Sequence, residues 1–147
     1  MASQQFCTFQ VADLFFGIEV LQVQEVIRSL EMTRVPLAPP CIEGLINLRG
    51  QIVTAIDLRT RLGLPIRENE EPPMNVVVRT DDGALSLLVD AIGDVIETND
   101  EAFERPPETL PADARQMIRG VYKLPGRLLL ILDIVRATSL ETAGVSK

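Results

Sequence analysis

The sequence predicts an all-β fold of two small barrels packed together and related by internal duplication, with short helical segments. Three observations predict this fold class. Two blocks of sequence recur in the second half of the chain, the apolar segments are short and separated by turn residues, and few segments have the periodicity of a helix. The 147 residues suffice for one ordinary domain or for two very small units that share a core.

The longer repeated block covers residues 43–58 and recurs 76 residues later as residues 119–134. The shorter block, residues 17–27, recurs 69 residues later as residues 86–96. Positions that match in both copies are those that the shared fold requires. The matched glycines and aspartates are Gly44 with Gly120, Gly50 with Gly126, and Asp57 with Asp133.

These matched positions predict structural roles. Gly50, Gly120 and Gly126 are assigned to turns, because glycine accepts backbone angles that other residues avoid. Asp57 and Asp133 each follow a predicted strand and are placed to cap the short helix after it. Positions where the copies differ are better functional candidates: Arg49 aligns with Pro125, and Asn47 aligns with Lys123.

In the first half, alternating residues predict a hairpin of strands 5–11 and 15–20. Residues 22–29 fit either a strand or a short helix. The prolines of residues 35–41 predict an extended loop. Residues 51–58 are rich in β-branched side chains and predict a strand, and residues 58–64 predict a short helix ended by glycine and proline.

The second half follows a linker predicted at residues 66–73. Strands 74–80 and 84–91 form a predicted hairpin, and residues 98–115 a long exposed loop. The last strand, 127–134, contains the apolar run 128–132, which is expected at the seam between the halves because both of its faces need cover. The first barrel is therefore placed largely at residues 15–65, the second largely at 74–140, and a frayed tail at 141–147.

Composition narrows the classes of function. The net charge of −7 argues against nucleic acid as the main ligand and against an electrostatic membrane anchor. The chain has no histidine, and it lacks the phosphate-loop, dinucleotide-binding and zinc-protease motifs. Cys7 and Cys41 form no metal-binding pair, and no signal peptide opens the chain. We therefore expect no catalysis, no metal, no cofactor and a cytoplasmic protein.

Four blocks together resemble the CheW family of chemotaxis coupling proteins. Residues 17–27 match the family's first block, and residues 44–50 (GLINLRG) match its signature, followed by residues 56–59 (IDLR). Residues 89–95 and 130–134 match the later blocks. The resemblance covers about residues 5–140 in one CheW-like domain. It implies two five-stranded SH3-like barrels side by side, in agreement with the duplication.

The resemblance also implies a function and partners. Members are non-catalytic adaptors that link the cytoplasmic tips of methyl-accepting chemoreceptors to the histidine kinase CheA, and they join the receptor array at the membrane through those partners. By position, the receptor-facing role falls on Arg49, Asn47, Val23 and Gly44. Candidate contacts with the kinase regulatory domain are Leu14, Glu25, Val26 and Ile27, and Glu25 is equally a candidate for the receptor-facing groove. Glu43 is acidic where many relatives are basic or neutral, which bears on the identity of the receptor partner.

Three alternatives remain at this point. The chain could be an isolated CheA-type regulatory domain, or the scaffold of a non-flagellar motility pathway. It could also be an unrelated β-barrel for a small ligand, although such a barrel needs a polar interior and these strands are apolar on their inward faces.

Overall fold

The structure is a computed structural model, which describes residues 3–28, 31–64, 73–81, 83–99 and 103–138. Within these residues the chain forms eleven strands and three short α-helices. The strands of the first half are β1 (Ser3–Val11), β2 (Leu14–Glu19), β3 (Val23–Ile27), β4 (Ile42–Leu48) and β5 (Gln51–Asp57), followed by α1 (Leu58–Arg61). The second half contains β6 (Met74–Thr80), β7 (Gly83–Val89), β8 (Ala91–Asn99), β9 (Phe103–Glu104), α2 (Ala112–Gln116), β10 (Ile118–Leu124), β11 (Arg127–Leu132) and α3 (Ile134–Thr138).

The strands form two sheets, so the predicted all-β class is confirmed. One sheet has six strands in the order β8-β1-β2-β11-β10-β9, and the other has five in the order β3-β6-β7-β5-β4. We call them the six-stranded and the five-stranded sheet. The six-stranded sheet has one strand more than the five predicted for each unit, because the two-residue strand β9 pairs with the outer side of β10.

The two halves exchange hairpins. The six-stranded sheet takes β1 and β2 from the first half and its other strands from the second, and the five-stranded sheet takes β6 and β7 from the second half. The barrel ranges 15–65 and 74–140 therefore do not describe the sheets. The reason is the path of the chain after each first hairpin. A 3-10 turn at Val20–Gln22 leads from β2 into the other sheet, and Asp90 alone connects β7 to β8.

The duplication is visible in equivalent irregularities of pairing. β4 and β5 shift register between Ile42 and Gly44, and β10 and β11 shift between Ile118 and Gly120, which are the matching positions of the repeat. The parallel pairs β5–β7 and β2–β11 are also equivalent. Both halves therefore have equivalent strand pairs and register shifts, although the first hairpin of each half pairs with strands of the other half.

Three apolar clusters stabilise this arrangement. The central cluster lies at the seam and takes residues from both sheets, among them Phe16, Val78 and Leu130. Ile46, Leu48, Val53 and their neighbours fill the five-stranded sheet, and Phe6, Tyr122, Leu129 and Ile131 fill the six-stranded sheet. Alternate residues of β11 therefore enter different clusters, which confirms the prediction that both faces of residues 128–132 are covered.

Four of the matched residues lie at turns or at the start of a helix: Gly50, Gly126, Asp57 and Asp133. Gly50 and Gly126 lie in turns at φ of 86° and 83°. The carboxylate oxygen of Asp57 accepts from the backbone N–H of Arg59 at 3.1 Å, and that of Asp133 accepts from the N–H of Arg136 at 3.1 Å, so each caps its helix. Gly120 is instead a strand residue of β10, where an added Cβ would lie 2.7 Å from the carbonyl oxygen of Glu104 in β9.

The structure decides between the two alternatives for one segment and differs from the prediction in another. Residues 22–29 contain the strand β3 rather than a helix, with residue 29 outside the described part. The predicted long loop 98–115 contains the end of β8, all of β9 and the start of α2, because Phe103 packs on Tyr122 and fixes β9 against β10. The predicted tail 141–147 and nearly all of the linker 66–73 lie outside the described residues.

Candidate functional site

The turn between β4 and β5 carries Arg49 in a left-handed backbone conformation. Arg49 has φ of 53° and Gly50 has φ of 86°, and Leu48 pairs with Gln51 across the turn. Positive φ at both central residues is the geometry of a type I′ hairpin turn, which favours asparagine or glycine at the first position. An arginine there is strained by about 1 kcal/mol or more and needs support from its neighbours.

Two side chains supply that support. The amide oxygen of Asn47 accepts from the backbone N–H of Gly50 at 2.9 Å and closes the turn. The carboxylate of Glu25, in β3, accepts from both terminal guanidinium nitrogens of Arg49, at 2.5 and 2.7 Å. A bidentate pair of this kind fixes the plane of the guanidinium as well as its position. We call Glu25, Asn47 and Arg49 the turn site.

The turn site is open to a partner. The Arg49 side chain is 72% exposed, whereas that of Glu25 is 20% exposed. Hydrogen bonding to Arg49 lowers the pKa of Glu25 below its ordinary range, and the same bond raises the pKa of Arg49. Both groups therefore stay charged near neutral pH. Guanidinium N–H groups that Glu25 does not use can donate to carboxylates or carbonyls of another molecule.

Val23 and Gly44 occupy less accessible positions. Val23 begins β3, is half-buried and packs on the edge of the central cluster. Gly44 is a buried residue of β4, where an added Cβ would lie 2.7 Å from the carbonyl oxygen of Thr33. The φ of Gly44 is not positive, so its backbone angles do not require a glycine. Close approach of the Thr33 backbone, which pairs with Leu45, requires the glycine.

The four candidate kinase contacts do not form one patch. Val26, on β3, is 40% exposed, and Ile27 packs partly against the core of the five-stranded sheet. Leu14 lies at the start of β2 in the six-stranded sheet and lines a cavity of about 230 Å³. Glu25 is held by Arg49 and so belongs to the turn site.

The Leu14 cavity is lined by apolar side chains, by Arg127 and by the polar residues Gln10, Asp13 and Thr109. Phe15, Leu110 and Leu128 line it beside Leu14, and the guanidinium carbon of Arg127 lies 3.9 Å from the centre of the Phe15 ring. We call Leu14, Phe15, Leu110, Arg127 and Leu128 the Leu14 surface. The sequence indicated only Leu14, because the other residues come together through contacts between distant segments.

Sequence reasoning also missed an ion pair. Arg59 of α1 and Asp90, between β7 and β8, are joined at 2.6 Å, and their side chains are only 13% and 18% exposed. Both lie in blocks that carry the resemblance described above, but nothing in the linear sequence indicates that the two residues meet.

Among the described residues, no group of three or more histidine, cysteine, aspartate or glutamate side chains could hold a metal ion. No helix within the same residues is long and apolar enough to span a membrane.

Comparison with known proteins places this geometry in a family. The family model described as CheW-like domain matches residues 5–141. The chain belongs to the CheW-like domain family. The match extends across both sheets, the turn site and the Leu14 surface, so the whole duplicated unit corresponds to the family's domain.

Individual relatives agree with the family match. The chain is 34% identical over 130 residues to the chemotaxis protein CheW of Bacillus subtilis, which covers 88% of this chain and 83% of that one. It is 30% identical over 138 residues to the CheW of Klebsiella aerogenes, covering 94% and 83% of the two chains. The crystal structure of the scaffolding protein TtCheW from Thermoanaerobacter tengcongensis matches with a TM-score of 0.80 and 28% identity, over 90% of this chain and 85% of that one.

Proposed function

We propose that this chain is a non-catalytic chemotaxis adaptor that joins a chemoreceptor cytoplasmic tip to the histidine kinase CheA. The observation that carries the proposal is an exposed, oriented arginine in the signature block of a CheW-like domain. Relatives that share most of this chain are named chemotaxis proteins, and the structural relative is named a scaffolding protein. Binding to these partners would bring the chain to the receptor array in the cytoplasm.

The turn site is the proposed receptor contact. Arg49 offers donors in a fixed plane, Glu25 holds that plane, and Asn47 holds the turn beneath it. A receptor tip that presents carboxylates or helix-end carbonyls would complement these donors. Val23 and Gly44 would support the turn site from within the fold. Val23 packs β3 on the core, and Gly44 lets residue 33 approach β4.

The proposed kinase contacts lie on both sheets. Val26 presents an exposed apolar side chain on β3 next to the partly buried Ile27, and Leu14 lines the Leu14 surface on the six-stranded sheet. Two unlike surfaces allow head-to-tail contacts, which can close into a ring. This arrangement suits an adaptor that alternates with a kinase regulatory domain.

Isothermal titration calorimetry with a receptor cytoplasmic fragment and with the CheA regulatory domain tests the proposal. We expect Arg49→Ala to weaken receptor binding by about thirtyfold or more, as central interface arginines commonly do, and to leave kinase binding unchanged. Arg119→Ala is the matched control, because Arg119 is also an exposed, ion-paired arginine but lies in the other sheet. Equal receptor affinities of wild type and Arg49→Ala would overturn the assigned contact, and binding of neither partner by wild type would overturn the function.

A further inference from the structure

The carboxylate of Asp90 connects three separate parts of the fold. Its Oδ2 atom accepts from the Arg59 guanidinium at 2.6 Å and from the backbone N–H of Ala12 at 2.7 Å, and Oδ1 accepts from Arg59 Nε at 3.3 Å. Arg59 lies in α1, directly after β5 of the five-stranded sheet, whereas Ala12 lies in the hairpin turn between β1 and β2 of the six-stranded sheet. A single side chain thus ties a turn of one sheet to the helix that follows a strand of the other.

Ala12 adopts a conformation that it would not hold unaided. Its φ is 55°, in the left-handed region that alanine disfavours. Asp90 binds its N–H group, and the Gln10 side-chain amide donates to its carbonyl oxygen at 3.2 Å. A strained residue persists where the surrounding structure fixes it from several sides. Asp90, itself held by Arg59, is the charged part of that support.

The turn leads directly into the Leu14 surface. Leu14 pairs with Val11 across the turn, and Asp13 and Leu14 both line the cavity. A change in the backbone angles at Ala12 would move Leu14 relative to Leu110 and Leu128, which come from other segments of the chain. The shape of the Leu14 surface therefore depends on the turn.

The duplication indicates that the fold itself does not require a carboxylate that supports a hairpin turn in this way. Asp81 aligns with Ala12 in the equivalent hairpin, and Leu21 aligns with Asp90. Leu21 is 84% exposed and carries no carboxylate, and the hydroxyl of Thr80 donates to Gly83 across the equivalent turn instead. Because the residue that matches Asp90 at the equivalent turn carries no carboxylate, the support at Ala12 points to a role beyond folding.

We propose that Arg59 and Asp90 are positioning residues that hold the β1–β2 turn in its left-handed form and thereby shape the Leu14 surface for its protein partner. The identity of that partner, the kinase regulatory domain, rests on the function proposed above. The effect of Asp90 on the turn does not rest on it.

Asp90→Asn is the central variant, because it keeps the size of the side chain and removes its charge. We expect amide hydrogen exchange at Ala12 to become about tenfold faster, as for a lost charge-assisted hydrogen bond, and kinase affinity to fall about tenfold. Receptor affinity should change by less than about twofold, because the turn site lies in the other sheet. Asp81→Asn, at the equivalent turn, should change none of the three measurements.

A second substitution separates positioning from other roles. Glycine accepts positive φ without strain, so Ala12→Gly combined with Asp90→Asn should recover most of the kinase affinity. No recovery in the double variant, or equal losses of kinase and receptor affinity in Asp90→Asn, would overturn the proposal. So would unchanged exchange at Ala12 in that variant.

Two further outcomes are decided in advance. If Asp90→Asn shows no cooperative melting transition, Arg59→Lys replaces it, with the same pattern expected at smaller size, since lysine keeps the charge and loses the planar fork. If wild-type protein binds no kinase fragment, the proposed function has failed and the partner assignment fails with it. Exchange at Ala12 then decides whether Asp90 sets the turn.

Discussion

Arg49 and Glu25 join the two outer strands of the five-stranded sheet. Arg49 directly follows β4 and Glu25 lies in β3, and these strands are the opposite ends of the order β3-β6-β7-β5-β4. In a flat sheet of five strands, four spacings of about 4.8 Å would separate them by about 19 Å. The bidentate contact at 2.5 and 2.7 Å therefore requires the sheet to curl round on itself, as a barrel does.

The ion pair gives Glu25 a distinctive titration. Because its pKa lies below its ordinary value of 4.5, any stability from the pair is complete above about pH 4.5 and disappears as the pH falls through the lowered pKa. We expect carboxyl chemical shifts from NMR to place the Glu25 midpoint below 4.5 in wild type. In Arg49→Met the midpoint should rise, since the bond that lowers it is gone. An identical midpoint in both proteins would show that the pair does not persist in solution.

The two residues of this pair were recognised from sequence, but their contact was not. The second half replaces Arg49 by proline, and that difference marked it as functional rather than structural. Glu25 could be assigned to either surface, because its role depends on a partner 24 residues away whose position is set by the curling of the sheet. Hydrogen bonds between distant segments carry no periodic signal in a sequence.

The strand residue Gly44 tests how closely the backbone of Thr33 packs on β4. In Gly44→Ala the new Cβ would lie 2.7 Å from the backbone oxygen of Thr33, and backbone moves less easily than a side-chain tip. We expect a loss of about 1–3 kcal/mol in the free energy of unfolding, measured in urea. Gly50→Ala is the control: its Cβ meets nothing within 4 Å, so its cost of about 1 kcal/mol comes from positive φ alone. Comparable unfolding curves for wild type and Gly44→Ala would contradict the crowding.

Leu37 defines a prediction about strain. It is fully exposed, with φ of 65°, in the loop that precedes β4. Substitution by glycine removes the penalty of about 1–2 kcal/mol for a left-handed backbone conformation. It also raises the entropic cost of folding by about 0.5–1 kcal/mol, so Leu37→Gly should stabilise the fold by about 0.5–1 kcal/mol. Leu21→Gly is matched to it, because Leu21 is exposed without positive φ and should lose stability. A lower melting temperature for Leu37→Gly than for wild type would contradict the backbone strain at Leu37.

The sequence predicted the two related units but not their interleaving. Matching blocks at offsets of 76 and 69 residues reveal that two copies exist, and alternation predicts each hairpin. The matching blocks and the alternation cannot reveal which sheet a hairpin enters, because the β1–β2 hairpin presents the same free edges to the strands of either half. The choice follows from the connections at Val20–Gln22 and Asp90, whose direction depends on packing in the central cluster.

Because the two halves are interleaved, they should stay associated after the chain is cut between them. Each sheet contains strands from both, through the parallel pairs β2–β11 and β5–β7, and the central cluster draws on both. A protease site introduced between Leu64 and Pro73 should therefore yield, after cleavage, two fragments that stay together. We expect one species of unchanged size in gel filtration and one cooperative unfolding transition, at lower denaturant because cleavage raises the entropy of the unfolded state.

The separate halves supply the control for this experiment. Expressed alone, residues 1–68 lack β6 and β7 from the centre of the five-stranded sheet, and residues 69–147 lack β1 and β2 from the six-stranded sheet. Neither should show a cooperative transition, because each exposes unpaired inner strand edges and half of the central cluster. Mixing the two should restore the transition of the cleaved protein. Two fragments that separate after cleavage, each still cooperatively folded, would mean that the halves are independent units and that the exchange of hairpins does not exist in solution.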